Sequence, residues 1–286
     1  MALVVEPFFD ERASAFSYLV ADRRARRAAI IDPVLGYEPR SGRTSTALAD
    51  RMIARVGELG VELEWMLETH PHADHLSAAG YLKDRLGGRM AIGEHVVAVE
   101  RTWKEIYNLG ADFRADGSQF DHLFRDGERF AIGGHEAQVL HTPGHTPACV
   151  SYAVDGRAWI GDTMFMPDDG TARADFPGGD AATLYRSIRR ILALPPETRL
   201  FVCHDYRPGG RPLAFETSVA AQRAGNTHVR DGVSEAEFVA MRRARDKTLI
   251  LPEHLLAAIQ INIRGGRLPP AEPNGTSYLK IPLNRF

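Results

Sequence analysis

The chain opens with short apolar runs separated by polar turns. Residues 3–5, 16–21 and 28–31 read as strands, the last closed by Asp32-Pro33. Helical spacing then takes over: Leu48, Met52, Ile53, Val56 and Leu59 share one face, Thr44 and Ser45 are placed to cap it, and Gly60 is placed to stop it. A strand over 63–67 and a helix over 76–86, ended by Gly87-Gly88, follow. Residues 94–124 read as a helix and a polar loop, an insertion rather than a separate domain. Strands are expected again at 130–132, 137–141, 149–154 and 158–160, then a helix over 181–193 and a strand over 199–202. Three more helices run to about 263, so that a helical and extended tail begins at about 230 and closes, Pro-rich, at Phe286. This order predicts one α/β domain over 1–286, with functional groups at the C-terminal ends of strands.

Composition narrows the picture without naming a chemistry. With 44% hydrophobic and 25% charged residues the chain suits a soluble globular core, and a net charge of −2 gives no electrostatic case for nucleic acid. The cluster Arg23, Arg24, Arg26 and Arg27 lies between two apolar runs and suits a solvated hairpin turn. No apolar stretch approaches the roughly 18 residues of a membrane span. Glu6, Asp10 and Glu11 follow the first apolar run, which suits neither a signal nor a transit peptide, so a cytoplasmic location is expected. Cys149 and Cys203 are too few for a disulfide framework or an iron–sulfur site, and both sit in expected strands as small buried hydrophobes. Neither a GxSxG elbow nor a phosphate-binding P-loop is present.

The informative stretch is 69–75, Thr-His-Pro-His-Ala-Asp-His, directly after the strand over 63–67. Imidazole and carboxylate together suit zinc or non-haem iron, and an irregular turn lets His70, His72, Asp74 and His75 converge. Other expected strands end in similar chemistry. His145 lies on the turn Thr142-Pro143-Gly144-His145-Thr146, Asp162 in Gly161-Asp162-Thr163, and His204 in Cys203-His204-Asp205. These donors alone leave open whether one metal binds or two.

The ordered set HxHxDH, TPGHT, GDT and a late strand-terminal histidine resembles the metallo-β-lactamase fold superfamily, which implies an αββα sandwich of two mixed β-sheets flanked by helices. Within it, His141-Thr-Pro-Gly-His145, Arg173-Ala-Asp175-Phe176, Thr183-Leu-Tyr185 and His204-Asp205-Tyr206 are similar to the persulfide dioxygenases, and the longer 94–124 insertion and the ending Tyr278-Leu-Lys-Ile-Pro-Leu resemble a bacterial subgroup of them. That resemblance implies one Fe(II) per chain held by His70, His145 and Asp162, with zinc possible in recombinant protein. It further implies oxidation of glutathione persulfide by O2 to sulfite and thiol in a homodimer. Arg173, Tyr206 and Arg207 would then be substrate-binding. The alternative is a dinuclear zinc hydrolase of a glutathione thioester, similar to glyoxalase II, or of a lactone. In it, His72, Asp74, His75 and His204 would take the second metal and Asp162 would bridge. A second alternative is a non-catalytic metal-binding module. With one metal, His72, Asp74, His75, His204, Asp175 and Asp205 become supporting residues around the ligands. His95, His122, His135, His141, His228 and His254 lack partner spacing and are expected to be structural or superficial.

Overall fold

The computed structural model describes residues 3–285; Met1, Ala2 and Phe286, the ends of the expected domain and tail, lie outside it. The first half runs β1 (Val4–Asp10), β2 (Ala15–Asp22), β3 (Arg27–Ile31), β4 (Val34–Glu38), β5 (Arg43–Ser45), α1 (Ala47–Leu59), β6 (Glu62–Leu67), β7 (Leu76–Ser77), α2 (Ala79–Leu86), β8 (Arg89–Gly93), α3 (Val96–Ile106) and β9 (His122–Phe124). The second runs β10 (Arg129–Ile132), β11 (His135–His141), β12 (Val150–Val154), β13 (Arg157–Trp159), α4 (Ala181–Leu192), β14 (Arg199–Phe201), β15 (Glu216–Ser218), α5 (Val219–Gly225), α6 (Glu235–Asp246) and α7 (Leu255–Asn262).

Each half builds one mixed sheet. The orders are β1-β2-β3-β6-β8-β9 and β10-β11-β12-β13-β14-β15, and a small sheet β5-β4-β7 sits beside them. Strand alternation explains the layering. In β2, Leu19 and Ala21 face a core shared with α1, α2, α3 and α7, while Phe16, Tyr18 and Val20 face the other sheet. In β14 and just beyond it, Leu200 and Val202 pack towards α4, α5 and α6, and Phe201 points between the sheets. The result is the expected αββα sandwich, with three apolar layers. Trp159 lies in the middle layer, stacked on Phe201 at 4.9 Å, and its loss should cost roughly 3–5 kcal/mol.

Three local expectations change. Leu76 and Ser77 open not the helix but β7, paired to Leu35 and Val34, so the histidine loop is pinned at both ends by strands. Thr46, rather than Thr44 or Ser45, precedes α1, and its side chain makes no capping bond. Residues 94–124 are woven into the first layer: Val96, Val99 and Trp103 of α3 join its core, and β9 pairs in parallel with β8.

Candidate metal centre

The donors come from four strand ends on one rim of the sandwich. His70 follows β6, His145 follows β11, Asp162 follows β13 and His204 follows β14. Close approach there requires glycine: a Cβ on Gly161, which sits at φ +49°, would lie 2.6 Å from Thr69 Oγ1. Gly144, at φ +135°, lets the His145 turn settle against the backbone of Leu184, where a Cβ would fall at 2.3 Å.

His70, His145 and Asp162 form one compact set. Both Nε2 atoms lie 3.7 Å from Asp162 Oδ2, and the imidazole rings stand perpendicular at 5.1 Å. One donor atom from each residue falls within 4.8 Å of the others, and all three residues are buried. The backs of the rings set the tautomers. Thr69 Oγ1 donates to Asp32 Oδ2 at 2.9 Å, so it accepts from His70 Nδ1 at 3.0 Å. His145 Nδ1 donates to the Arg173 carbonyl at 2.8 Å. Each ring therefore presents a lone pair on Nε2 to the centre.

His204 and Asp74 stand beside this set. His204 Nε2 is 3.1 Å from Asp74 Oδ2 and 3.4 Å from Asp162 Oδ1, and its Nδ1 donates to Ser14 O at 3.2 Å. His75 Nδ1 meets Leu76 O at 3.2 Å. His72 is placed differently. Its Nε2 sits 3.0 Å from Asp32 Oδ1 and 3.7 Å from Glu68 Oε2, behind the compact set.

Electrostatics follow the burial. Burial pushes His70 and His72 well below the ordinary histidine range, with the neighbouring histidines adding to it, so both are neutral and able to ligate. Burial raises the Asp162 carboxyl against the pull of His204 and His145. For His204, Asp74 and Asp162 outweigh burial and the net shift is upward. His70 Nε2, both ring nitrogens of His72, His75 Nε2, His204 Nε2, Asp74 Oδ2 and Asp162 Oδ1 are buried without a hydrogen-bond partner. Unpaired buried acceptors cost about 1–3 kcal/mol each, and a bound cation removes that cost, so the donor set fits a metal.

A cavity of about 240 Å³ opens onto His145, Asp162 and Asp74, walled by Phe165, Phe176 and Tyr206. Tyr206 stacks parallel on His204 at 5.6 Å. Two of the other expected substrate-binding residues are otherwise engaged. Arg173 lines the cavity, but its Nε and Nη2 donate to Asp175 at 2.6 and 2.8 Å and its Nη1 to Ile250 O at 2.7 Å. Its Nε–Nη2 edge, the face that would grip a carboxylate in bidentate fashion, is taken by Asp175. Arg207 is not among the residues lining the cavity and donates to Glu11 at 2.8 Å. Asp205, expected to support a ligand, is buried and takes up Arg211 at 2.6 and 2.8 Å and Ala214 N at 2.8 Å, which orders its own loop instead.

The remaining histidines have structural partners. His141 Nε2 donates to Pro147 O at 2.9 Å and its ring stacks on His95, His122 meets Glu128 at 2.6 Å, and His135 pairs with Asp155. Cys149 is buried beside Thr146, its thiol pushed up to about 12. Cys203 Sγ lies within 4.8 Å of nitrogens of His72, His75 and His204, yet burial raises its pKa well above the usual thiol range, which disfavours the thiolate.

Sequence reading passed over the braces of the histidine loop. Asp32 accepts from Thr69 N at 2.7 Å, and burial pushes its carboxyl up to about 6. Asn262 Nδ2 donates to the carbonyls of His72 and His75, both at 2.8 Å, while its Oδ1 accepts from Ser77 N at 2.7 Å. His254 Nδ1 donates to Asp74 O at 2.8 Å. The signal for Asp32 was present in the strand-terminal Asp32-Pro33, which reads equally well as a turn.

A buried histidine and aspartate centre at the rim of an αββα sandwich defines a metal-dependent enzyme. The chain belongs to the metallo-beta-lactamase superfamily, whose sequence profile matches residues 11–204. It is 53% identical to a "probable metallo-hydrolase" of Burkholderia pseudomallei, over 99% of each chain. It is also 53% identical to the "beta-lactamase hydrolase-like protein" of Xylella fastidiosa, of whose length it spans 64%. Similarity at 30% identity reaches the persulfide dioxygenase ETHE1 of Homo sapiens, over 94% of this chain and 91% of that one. The crystal structure of ETHE1 from Myxococcus xanthus superposes with a TM-score of 0.74 at 29% identity, covering 92% of this chain and all of that one. The relatives at 53% thus carry hydrolase names, nearer to the expected alternative than to the dioxygenase. Among the described residues no helix is long and apolar enough to cross a membrane.

Proposed function

We propose that this chain is a mononuclear non-haem iron enzyme that oxidises a low-molecular-weight persulfide, glutathione persulfide in the first instance, with O2. The observation carrying this reading is the closure of His70, His145 and Asp162 into a three-donor face without His72, whose Nε2 lies against Asp32. Two imidazoles and one carboxylate on a face leave coordination positions for both an anionic sulfur and O2. Iron(II) on that face would supply the O2 binding and electron transfer that side chains lack.

The chain's own residues orient and exclude. Asp32 acting through Thr69 holds the Nδ1 proton of His70, and the Arg173 carbonyl holds that of His145. Phe165 and Phe176 keep the cavity wall apolar at the reacting end. The overall step balances as persulfide, O2 and water giving thiol, sulfite and two protons: the outer sulfur loses four electrons and O2 accepts them.

A second reading, a dinuclear metal hydrolase of a glutathione thioester, is favoured by three observations, the first being that donor atoms of His72, His75, Cys203 and His204 lie within 4.8 Å of one another. His204 Nε2 sits between Asp74 and Asp162, where a second cation would find donors, and the names of the relatives at 53% identity point the same way. Metal analysis of protein expressed with iron available, coupled to O2 uptake on adding glutathione persulfide, separates the two. One iron per chain with O2 uptake is expected. Two metals per chain, no O2 uptake and fast thioester hydrolysis would replace the first reading by the second.

A further inference from the structure

The cavity above His145 and Asp162 is asymmetric in charge. Asp74 and Asp162 stand at its metal end, while Arg242 and Arg245 of α6 reach its wall. Phe165, Phe176, Leu249 and Ile250 complete an apolar lining. Its three arginines differ in what holds them. Arg173 is occupied by Asp175 and Ile250 O. Arg242 is buried, donates from Nε to Asp246 at 2.8 Å and from Nη1 to Thr171 O at 3.0 Å, and so ties α6 to the segment before Arg173. Asp246 adds a bond from Ala174 N at 3.0 Å. Arg245 is exposed, and among the described residues its guanidinium has neither a hydrogen bond nor an ion pair.

An unpaired guanidinium beside an apolar wall is suited to bidentate capture of a carboxylate. The neighbouring base does not compete. His228 is pushed down to about 4, by burial first and then by Arg242 and Arg245, and its Nδ1 accepts from Thr171 N at 3.0 Å. Resting on the reading that this cavity is the active site, we propose that Arg245 is a specificity-determining residue that binds a carboxylate of the substrate. The ligand class is a small anionic thiol derivative of the glutathione type. Arg242 is a positioning residue: it fixes the turn of α6 from which Arg245 reaches the cavity. The grip expected of Arg173 thereby passes to a residue 72 positions further along the chain.

The test uses an inert ligand, so that it does not depend on which reaction the metal performs. S-methylglutathione and its dimethyl ester are titrated into the metal-loaded wild-type and Arg245→Ala chains by calorimetry. Arg245 is exposed and unpaired, so the variant keeps its fold. The expected result is a Kd for S-methylglutathione raised about tenfold by the substitution, with Arg245→Lys between the two. The ester should bind both chains equally. Equal binding of S-methylglutathione to wild type and Arg245→Ala overturns the proposal, as does no binding to wild type, or an ester Kd that moves with the variant. If the Kd difference is found but persulfide draws no O2, the subsite stands and the dioxygenase reading falls.

Discussion

The two halves of the donor cluster use the same residue types and differ in what stands behind them. His70 and His145 are backed by short bonds, 3.0 Å to Thr69 Oγ1 and 2.8 Å to Arg173 O, and Thr69 is itself held by buried Asp32. His75 and His204 are backed only by carbonyls at 3.2 Å. His72, the central ring of the run, lies 4.0 Å from the His70 ring and 4.1 Å from the His75 ring, with its Nε2 nearest Asp32. Donor identity alone therefore does not define a metal site. The partners that fix each ring's tautomer and aim decide which donors act together.

The largest expected contrast breaks the cluster in two. His70→Ala should lose the metal and all activity, whereas His204→Ala should keep about one metal per chain as measured by plasma emission analysis. A fall from two metals to one in His204→Ala would equate the two halves and support the dinuclear hydrolase.

Asn262→Ala tests the brace shared by both halves. It strips partners from the carbonyls of His72 and His75 and from Ser77 N, and should lower stability in urea by about 3 kcal/mol. A change below the error of the titration would show that the loop holds its shape without α7.

Asp32→Asn sharpens the comparison on one side only. It removes the charge behind Thr69 and His70 and should weaken metal affinity by roughly 10- to 100-fold in a chelator competition, with little change in fold. Unchanged affinity would reduce Asp32 to a structural turn residue.

Glu100 calibrates what burial does away from the donors. It is fully buried on α3, accepts from Gly117 N at 2.9 Å, and is pushed up to about 7 by burial, with Asp116 adding to it. Its folded-state pKa is raised, so its favourable share of stability is complete in acid and fades as pH rises through about 7. Glu100→Gln should therefore leave stability almost unchanged below about pH 4 and raise it by roughly 3 kcal/mol at pH 8. Equal unfolding midpoints for the two chains at pH 8 would contradict this.

Much of the architecture was legible because it depends on short-range pattern. Continuous apolar runs such as those at 16–21 and 28–31 bury both faces of their strands, and the spacing from Leu48 to Leu59 makes an amphipathic helix. Less legible were the two-residue strand β7 and the incorporation of 94–124, because pairing with β4 and β8 lies in distant chain. The pairing of Arg173 was not legible for a local reason: its partner Asp175 is two residues away, but only the backbone's fold there aims the fork at it.

The sequence by itself determined that strand ends would carry His70, His145, Asp162 and His204, because donor type and spacing are properties of the chain. Tertiary structure alone decided which donors meet, that Asp32 reaches across 37 residues to Thr69, and that Asn262 reaches across 190 to His72. It also decided which arginine stays free in the cavity. The reason is physical: a hydrogen bond acts over about 3 Å, and only folding sets which distant groups come within it.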